Sequence, residues 1–83
     1  MNGASGSEPN ICLTCIEGEQ CMVYFEPWGT EYVLSRGDVF QVSSSAFSTG
    51  DVEVSYAKGG ISIAFTSSAP ITITDKAGRI LPL

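Results

Sequence analysis

Apolar and polar residues alternate in short runs along most of this chain, and no run has the spacing of an amphipathic helix. The alternation extends through residues 11–74, and each run is closed by Gly, Pro, Asn, Asp or Ser. Alternation between turn residues is typical of strands that bury one face. The pattern predicts an all-β fold: a small antiparallel β-sandwich or barrel of about seven to eight short strands, joined mainly as a meander.

The first two runs, residues 11–16 and 20–26, predict an antiparallel hairpin with its turn at Gly18. In that register one face is wholly apolar, and its cross-strand pairs are Ile11 with Phe25, Leu13 with Val23, and Cys15 with Cys21. Cys12 then faces away from the core. A two-residue turn at Glu17-Gly18 is the competing arrangement.

A second hairpin is predicted around residues 35–38, Ser-Arg-Gly-Asp. Tyr32 and Leu34 alternate with polar residues before this turn, and Phe40 and Val42 do so after it. Proline cannot donate to a ladder of strand hydrogen bonds, so Pro27-Trp28-Gly29 should separate this hairpin from the first.

The second half of the chain predicts a loop and further strands. Residues 43–50 are the longest expected loop, in which Phe47 either plugs one end of the core or is exposed for binding. Two apolar strand faces follow across a tight turn at residues 58–60, the first with Val52, Val54 and Tyr56 and the second, which faces inward, with Ile61, Ile63 and Phe65.

One β domain is expected over residues 10–83, preceded by a flexible tail of residues 1–9. The tail consists of small and polar residues without periodicity and would bury little surface. A chain of 83 residues leaves no room for a second domain.

The charge balance limits the classes of partner. Nine acidic against four basic residues give a net charge of −5, and nucleic-acid binding needs clustered Lys and Arg. No apolar run approaches the ~20 residues of a membrane span, and the chain begins without the features of a signal peptide. Three cysteines, an odd number, favour a reducing compartment. We expect an acidic, cytoplasmic protein that binds neither nucleic acid nor membranes.

Residue chemistry argues against catalysis and metal binding. Histidine is absent, which removes the commonest general base and metal ligand. Cys12 and Cys15 would point to opposite faces of a strand, whereas a redox motif needs its first cysteine at a helix N-terminus and a zinc knuckle needs a turn. Glu26 and Glu31 are close in sequence, but a β domain of this size can scarcely enclose a catalytic cleft. The sequence predicts no enzymatic activity, no metal and no cofactor.

Aromatic and acidic residues gather around the Pro27-Trp28-Gly29 break and form the predicted binding surface: Tyr24, Glu26, Trp28, Glu31 and Tyr32. Tyr and Trp combine a broad apolar area with a polar tip, and the two glutamates would attract a basic side chain. We expect a non-catalytic interaction or assembly module that binds a protein partner or itself. The alternative is a small-ligand or carbohydrate binder that uses Trp28 and the neighbouring tyrosines, and a third interpretation is that Trp28 only caps one end of the core.

Self-association as a homodimer is a further expectation. The chain is short for burying both faces of eight strands, Met22 and Tyr24 lie off the core face, and residues 80–83 end the chain on apolar side chains. Exposed strand edges and apolar patches on a small β domain favour such pairing. The first hairpin or the C-terminal run would then cover its counterpart.

Residues 25–32, FEPWGTEY, and residues 37–40, GDVF, resemble a segment of short uncharacterised bacterial all-β proteins that carry an EPWGxEY…GDxF pattern. That resemblance implies an all-β fold and brings no function. The Gly-Asp turn is also similar to half of a cupin motif. Because the cupin metal site requires histidines, this second resemblance implies a relative that has lost the metal and its chemistry.

Overall fold

Two four-stranded sheets form a β-sandwich in the computed structural model of this protein, which describes residues 8–83. In chain order the elements are β1 (Asn10–Thr14), β2 (Gln20–Glu26), β3 (Thr30–Ser35), β4 (Val39–Ser43), α1 (Ala46–Thr49), β5 (Val52–Ala57), β6 (Gly60–Phe65), β7 (Thr72–Thr74) and β8 (Ile80–Leu81). The first sheet has the order β1-β4-β7-β8 and the second sheet the order β3-β2-β6-β5. The predicted all-β fold of about eight short strands is confirmed, with two separate sheets.

The core lies between the two sheets and is built from the alternating apolar positions. Its fully buried side chains are Val23, Phe25 and Leu34 with Ile63 from the second sheet, and Val42 and Ile73 from the first. The rings of Tyr32 and Phe40 join the sheets edge to face, with centroids 6.0 Å apart. Burying one such side chain stabilises the fold by about 1.5–3 kcal/mol.

The two predicted hairpins are wrong. Strand β1 pairs with β4 in the first sheet, whereas β2 pairs with β3 and β6 in the second. Residues 15–19 and 36–38 therefore cross from one sheet to the other, and they are joined by a hydrogen bond from Arg36 N–H to the Glu19 carbonyl oxygen, 2.9 Å long. Gly18 and Gly37 take positive φ angles of 74° and 90° at these crossings, which glycine adopts without steric cost.

Alternation could not distinguish a hairpin from a crossing between sheets. In both arrangements the same residues face the core, since a strand in the opposite sheet also turns its apolar face inward. The strand partners of Ile11 and Leu13 are Val42 and Phe40 rather than residues of β2. The outward residues of β1 and β2, expected on one surface, therefore lie on opposite sides of the sandwich.

The expected meander holds for only part of the chain. Sequence neighbours pair in β2–β3, β5–β6 and β7–β8, but β2 also pairs with β6, and that pair is parallel. Strand β6 begins at Gly60, where a Cβ atom would collide with the carbonyl oxygen of Met22. Only glycine allows β6 to approach β2 so closely at this end.

The segment expected to be the longest loop contains the four-residue helix α1. Ala46 is buried, and the Phe47 ring packs against Phe65 with centroids 5.8 Å apart. The N–H of Ser44 donates to the carbonyl oxygen of Pro9 over 3.0 Å, which ties this segment to the start of β1. Phe47 therefore plugs one end of the core, which was the first of the two alternatives for this residue.

The predicted tail, residues 1–9, falls mostly outside the described residues. Glu8 and Pro9 precede β1 directly. Across residues 8–83, no helix has the length and apolar character needed to span a bilayer.

Candidate functional site

The five residues of the predicted binding surface do not share one surface. Tyr24 and Glu31 are strand partners and lie on the outer face of the second sheet. Glu26, two residues after Tyr24 on β2, faces the same way. Tyr32, next to Glu31 on β3, faces the opposite way, into the sandwich.

Tyr32 belongs to the core. Its ring lies edge to face with Phe25, at 6.3 Å, and with Phe40, at 6.0 Å. Its hydroxyl donates a hydrogen bond to the carbonyl oxygen of Pro82. The alternation already placed Tyr32 on the Leu34 side of β3, so grouping it with Tyr24 ignored the two-residue period of a strand.

Trp28 lies in the turn between β2 and β3, at one end of the core. Its ring packs edge to face on Phe65 with centroids 5.7 Å apart, and 44% of the residue remains exposed. This contact agrees with the interpretation of Trp28 as a cap on the core. Because Tyr24 and Tyr32 face opposite sides of the sheet, the aromatic residues do not form a single stacking platform for a sugar.

Two neighbouring exposed apolar side chains lie on β5, at the other edge of the second sheet. Val54 is 58% exposed and Tyr56 is 89% exposed. Their strand partners on β6 are Ile63 and Ile61, so all four side chains point to the core side of the sheet. Ile63 is completely buried. The cover over the second sheet therefore ends before Val54 and Tyr56, whereas Val52 at the start of β5 still packs against the core.

An open groove of about 400 Å³ lies beside Tyr56. Its other lining residues are Glu17, Gln20, Cys21, Gly59, Gly60 and Ile61. Ile16, which directly precedes Glu17, is 83% exposed. We call Val54, Tyr56 and this groove the β5 surface. The alternation of β5 was visible in the sequence, but nothing local indicated that its apolar face lacks a cover.

The backbone edge of β5 is also open. Within residues 8–83, β6 is the only strand that pairs with β5. The N–H of Thr66 donates to the Asp51 carbonyl oxygen over 2.9 Å, and hydrogen-bonding direction alternates along an antiparallel ladder. The N–H and C=O groups of Val52, Val54 and Tyr56 therefore point away from β6, toward the free edge.

The charges around the β5 surface are mostly acidic. Glu17 lines the groove, Glu53 is exposed on β5, and Asp51 precedes the strand and accepts a hydrogen bond from the Thr49 hydroxyl over 2.6 Å. Lys58 follows the strand in the β5–β6 turn. A ligand that docks here meets an apolar strip with carboxylates beside it.

A second cavity, of about 390 Å³, is lined by the β7–β8 turn, and the polar groups of that turn are bonded to one another. Asp75 accepts hydrogen bonds from the backbone N–H of Arg79 and of Ala77, both at 2.9 Å, and pairs with the Arg79 side chain at 3.0 Å. The backbone hydrogen bond from Arg79 is the main reason that the pKa of Asp75 lies below its ordinary value. The carboxylate is therefore used by the turn itself.

The three cysteines occupy different environments. Cys12 is exposed on β1, Cys15 is buried, and Cys21 is half-buried at the groove. The Sγ atoms of Cys15 and Cys21 are 2.8 Å apart, which confirms that these two residues are neighbours while Cys12 faces away. They meet where the chain crosses between the sheets rather than across a hairpin. The hydrogen bond with Cys15, aided by burial, raises the pKa of the Cys21 thiol above its ordinary value.

Glu26 and Glu31 lie on the open outer face of the second sheet. Among residues 8–83, no group of three acidic or cysteine side chains lies close enough together to bind a metal ion.

Comparisons of the chain with protein families, curated proteins and solved structures gave no significant match. The resemblance carried by residues 25–40 therefore stays a prediction.

Proposed function

We propose that this protein is a non-catalytic interaction module that binds an extended segment of a partner protein along the free edge of β5. The observation that carries the proposal is the exposure of Val54 and Tyr56 on the core-facing side of an unpaired edge strand. Apolar side chains in that position gain free energy when a partner removes them from water.

The backbone of β5 supports binding by strand addition. Its outward N–H and C=O groups can form a new ladder with a peptide, which is how many domains bind extended segments. Nothing within β5 blocks such pairing, because the strand contains no proline or lysine and carries one charged residue, Glu53. The bound segment would become the fifth strand of the second sheet.

The side chains of β5 support a segment of alternating character. Residues that pair with Val54 and Tyr56 would lie on the apolar side, where the groove beside Ile61 can take a large aliphatic or aromatic side chain. Residues between them would lie on the outer side, next to Glu53. An apolar residue at every second position therefore fits this edge.

The charges favour a basic partner. The intervening residues of the segment would face Glu53, and opposite charges on paired strands stabilise the pair by about 0.2–1 kcal/mol. Glu17, beside the groove, adds to the same preference. A second copy of this chain brings another net charge of −5, so like charges oppose a homodimer through this edge. Self-association is accordingly an outcome of the test and not part of the proposal.

The absence of catalysis is part of the proposal. Glu26 and Glu31 lie on the outer face of the second sheet, and neither of them lines the groove beside Tyr56 or the cavity at the β7–β8 turn. A cytoplasmic location fits the odd number of cysteines, because a scaffold of paired disulfides would need an even number and thiols stay reduced in that compartment.

Titration with two synthetic peptides tests the proposal. Both alternate valine with a charged residue, lysine in one and glutamate in the other. We expect the lysine peptide to shift the backbone NMR signals of residues 52–57 and the glutamate peptide to leave them unchanged. Shifts that centre on Tyr24 and Glu31 instead, or equal binding of both peptides, would contradict the proposal.

Sedimentation equilibrium of the protein alone tests whether a second copy of this chain, rather than a partner segment, occupies the β5 surface. We expect no dimer that depends on Val54 across micromolar concentrations. A dimer that dissociates when Val54 is replaced by lysine, but not when Val33 on β3 is, would make a second copy the occupant of the β5 surface. Val33 is the matched control because it is a valine on the other edge of the same sheet and is 46% exposed.

A further inference from the structure

Two sulfur atoms lie closer together than ordinary packing contacts where the chain crosses from the first sheet to the second. The Sγ atoms of Cys15 and Cys21 are 2.8 Å apart. Packed non-bonded atoms usually stay about 3.5–4 Å apart, whereas a disulfide bond is about 2.05 Å long. Little movement therefore separates this pair from a covalent bond.

The crossing segment holds the pair together. Cys15 directly follows β1, and Cys21 is the second residue of β2. Their separation is six residues, and the positive φ of Gly18 lies midway between them. The fold, and not a chance approach of two mobile side chains, places the sulfurs side by side.

The third cysteine cannot take part. Cys12 lies on β1 with its side chain on the outer face of the first sheet, whereas Cys15 is buried between the sheets. Cys12 is the most exposed thiol of the three and serves as an internal control for non-specific oxidation.

The two paired sulfurs differ in access. Cys21 is half-buried and lines the groove beside Tyr56, so it is more accessible to a reagent in water than the buried Cys15. Cys15 is buried, and its thiol also lies 3.2 Å from the carbonyl oxygen of Glu17. The accessible Cys21 thiol is suited to attack a disulfide in solution, and the buried Cys15 thiol is suited to displace the group that this attack leaves on Cys21.

We propose that Cys15 and Cys21 are an oxidation site that forms a reversible intramolecular disulfide by exchange with a small-molecule disulfide such as oxidised glutathione. The Cys21 thiolate attacks one sulfur of oxidised glutathione, which forms a mixed disulfide and releases one glutathione thiolate. The Cys15 thiolate then attacks Cys21 Sγ, forms the Cys15–Cys21 bond and releases the second glutathione. The protein loses two protons and two electrons, and the glutathione disulfide gains them.

The disulfide would clamp the link between the sheets, and both sulfurs belong to the crossing at residues 15–21. Cys21 also lines the groove of the β5 surface, but the exchange needs neither Val54, Tyr56 nor a bound peptide. The thiol count and the mapping therefore test the oxidation whether or not a peptide binds at β5. Because the hydrogen bond to Cys15 raises the pKa of Cys21, the thiolate is scarce near neutral pH, and the exchange should be faster in alkaline solution.

The test equilibrates the native full chain with glutathione buffers of increasing oxidised fraction and counts the remaining thiols. A Glu-specific protease, which can cut after Glu17 and Glu19, then separates the two cysteines unless a disulfide joins them. We expect free thiols to fall from three to one, and the fragment that ends at Glu17, which carries both Cys12 and Cys15, to be linked to the fragment that carries Cys21. Alkylation of the remaining thiol before digestion, followed by peptide sequencing in a mass spectrometer, should place the label on Cys12. Three free thiols at every buffer ratio, or Cys12 as the first thiol lost, would overturn the proposal.

Two variants make the test sharper. Cys12→Ser should still form the bond, since this exposed residue has no part in it. Cys15→Ser should stop at a glutathione adduct on Cys21 that no neighbouring thiol resolves. If the wild-type protein accumulates the same adduct instead of the internal bond, the sulfurs do not meet in solution and the proposal fails. The wild-type mapping decides the matter even if Cys15→Ser does not fold.

Discussion

The second sheet has two six-residue edge strands, β3 and β5, that look alike in sequence and differ in their cover. Each has a tyrosine on its core-facing side. Tyr32 on β3 packs on Phe40 and bonds to Pro82, whereas Tyr56 on β5 is 89% exposed. An apolar strand face is therefore not a buried face until a second sheet lies over it.

The short crossings explain why the cover is uneven. Residues 36–38 are too few to carry the chain far, so β4 must lie over β3, and residues 15–19 likewise keep β1 near β2. Because β1 is the edge of the first sheet, no further strand of that sheet lies beyond it, and Val54 and Tyr56 on β5 are left exposed. On the other side β8 extends past β4 and brings Pro82 to Tyr32. The stagger that closes the β3 edge opens the β5 edge.

The largest expected contrast between the two edges is in stability. Leu34→Ala on β3 should reduce the free energy of unfolding by about 2–5 kcal/mol, because a fully buried leucine leaves a cavity. Val54→Ala on β5 should change it by no more than about 0.5 kcal/mol, since the side chain is already largely in water. Urea denaturation of both variants measures the difference. Equal losses would mean that β5 is covered in solution.

The second contrast concerns binding. Tyr56→Ala should weaken binding of the alternating lysine peptide roughly tenfold, or about 1.4 kcal/mol, because exposed tyrosines often dominate the energy of an interface. Val33→Ala on the β3 edge should leave the affinity unchanged within a factor of two. Isothermal titration calorimetry measures both. A greater loss of affinity from Val33→Ala than from Tyr56→Ala would show that the peptide binds along β3, which would contradict the proposal.

The third contrast exchanges the two tyrosines for phenylalanine. Tyr32→Phe should cost about 1 kcal/mol of stability, because it removes the hydrogen bond to the Pro82 carbonyl oxygen. Tyr56→Phe should cost nothing measurable, since this exposed residue gains little from its hydroxyl. Thermal unfolding of the pair measures the difference. A larger loss from Tyr56→Phe would show an unrecognised contact at β5.

The smallest expected effect is a pH dependence of stability that arises from Asp75 in the β7–β8 turn, on the side of the covered β3 edge. Hydrogen bonds, mainly from the Arg79 backbone, lower the pKa of Asp75 in the folded state, so its stabilising effect is present above the unfolded pKa and is lost as pH falls through the folded value. We expect Asp75→Asn to narrow the difference in melting temperature between neutral and acidic solution. Identical pH profiles for the variant and the wild type would show that Asp75 contributes nothing to the pH dependence of stability.

The sequence was sufficient for the fold class and for most of the core. Residues such as Phe25, Leu34, Ile63 and Val42 follow a period of two that any arrangement of these strands preserves. The same argument placed Cys15 beside Cys21, although through the wrong connection. Alternation identifies which side of a strand faces the core, and it holds whether the neighbouring strand lies beside it or across from it.

The candidate site could not be predicted from local pattern. Tyr56 reads as a core residue because it alternates with Val54 and Val52, and its exposure depends on where β1 stops in the other sheet. The parallel pairing of β2 with β6 joins strands that are far apart in sequence. The only local sign of it is Gly60, which cannot be told from an ordinary turn glycine in the sequence. Such features depend on the packing of whole sheets and need the three-dimensional structure.

Amide hydrogen exchange in the presence of the alternating lysine peptide tests the open β5 edge most directly. The N–H groups of Val54 and Tyr56 point to the free edge, whereas those of Glu53 and Ser55 point to β6. We expect the peptide to slow exchange at Val54 and Tyr56 severalfold or more, with little change at Glu53 and Ser55 and none along β3. Protection that appears on β3 instead, or no protection at Val54 and Tyr56 at saturating peptide, would contradict the account.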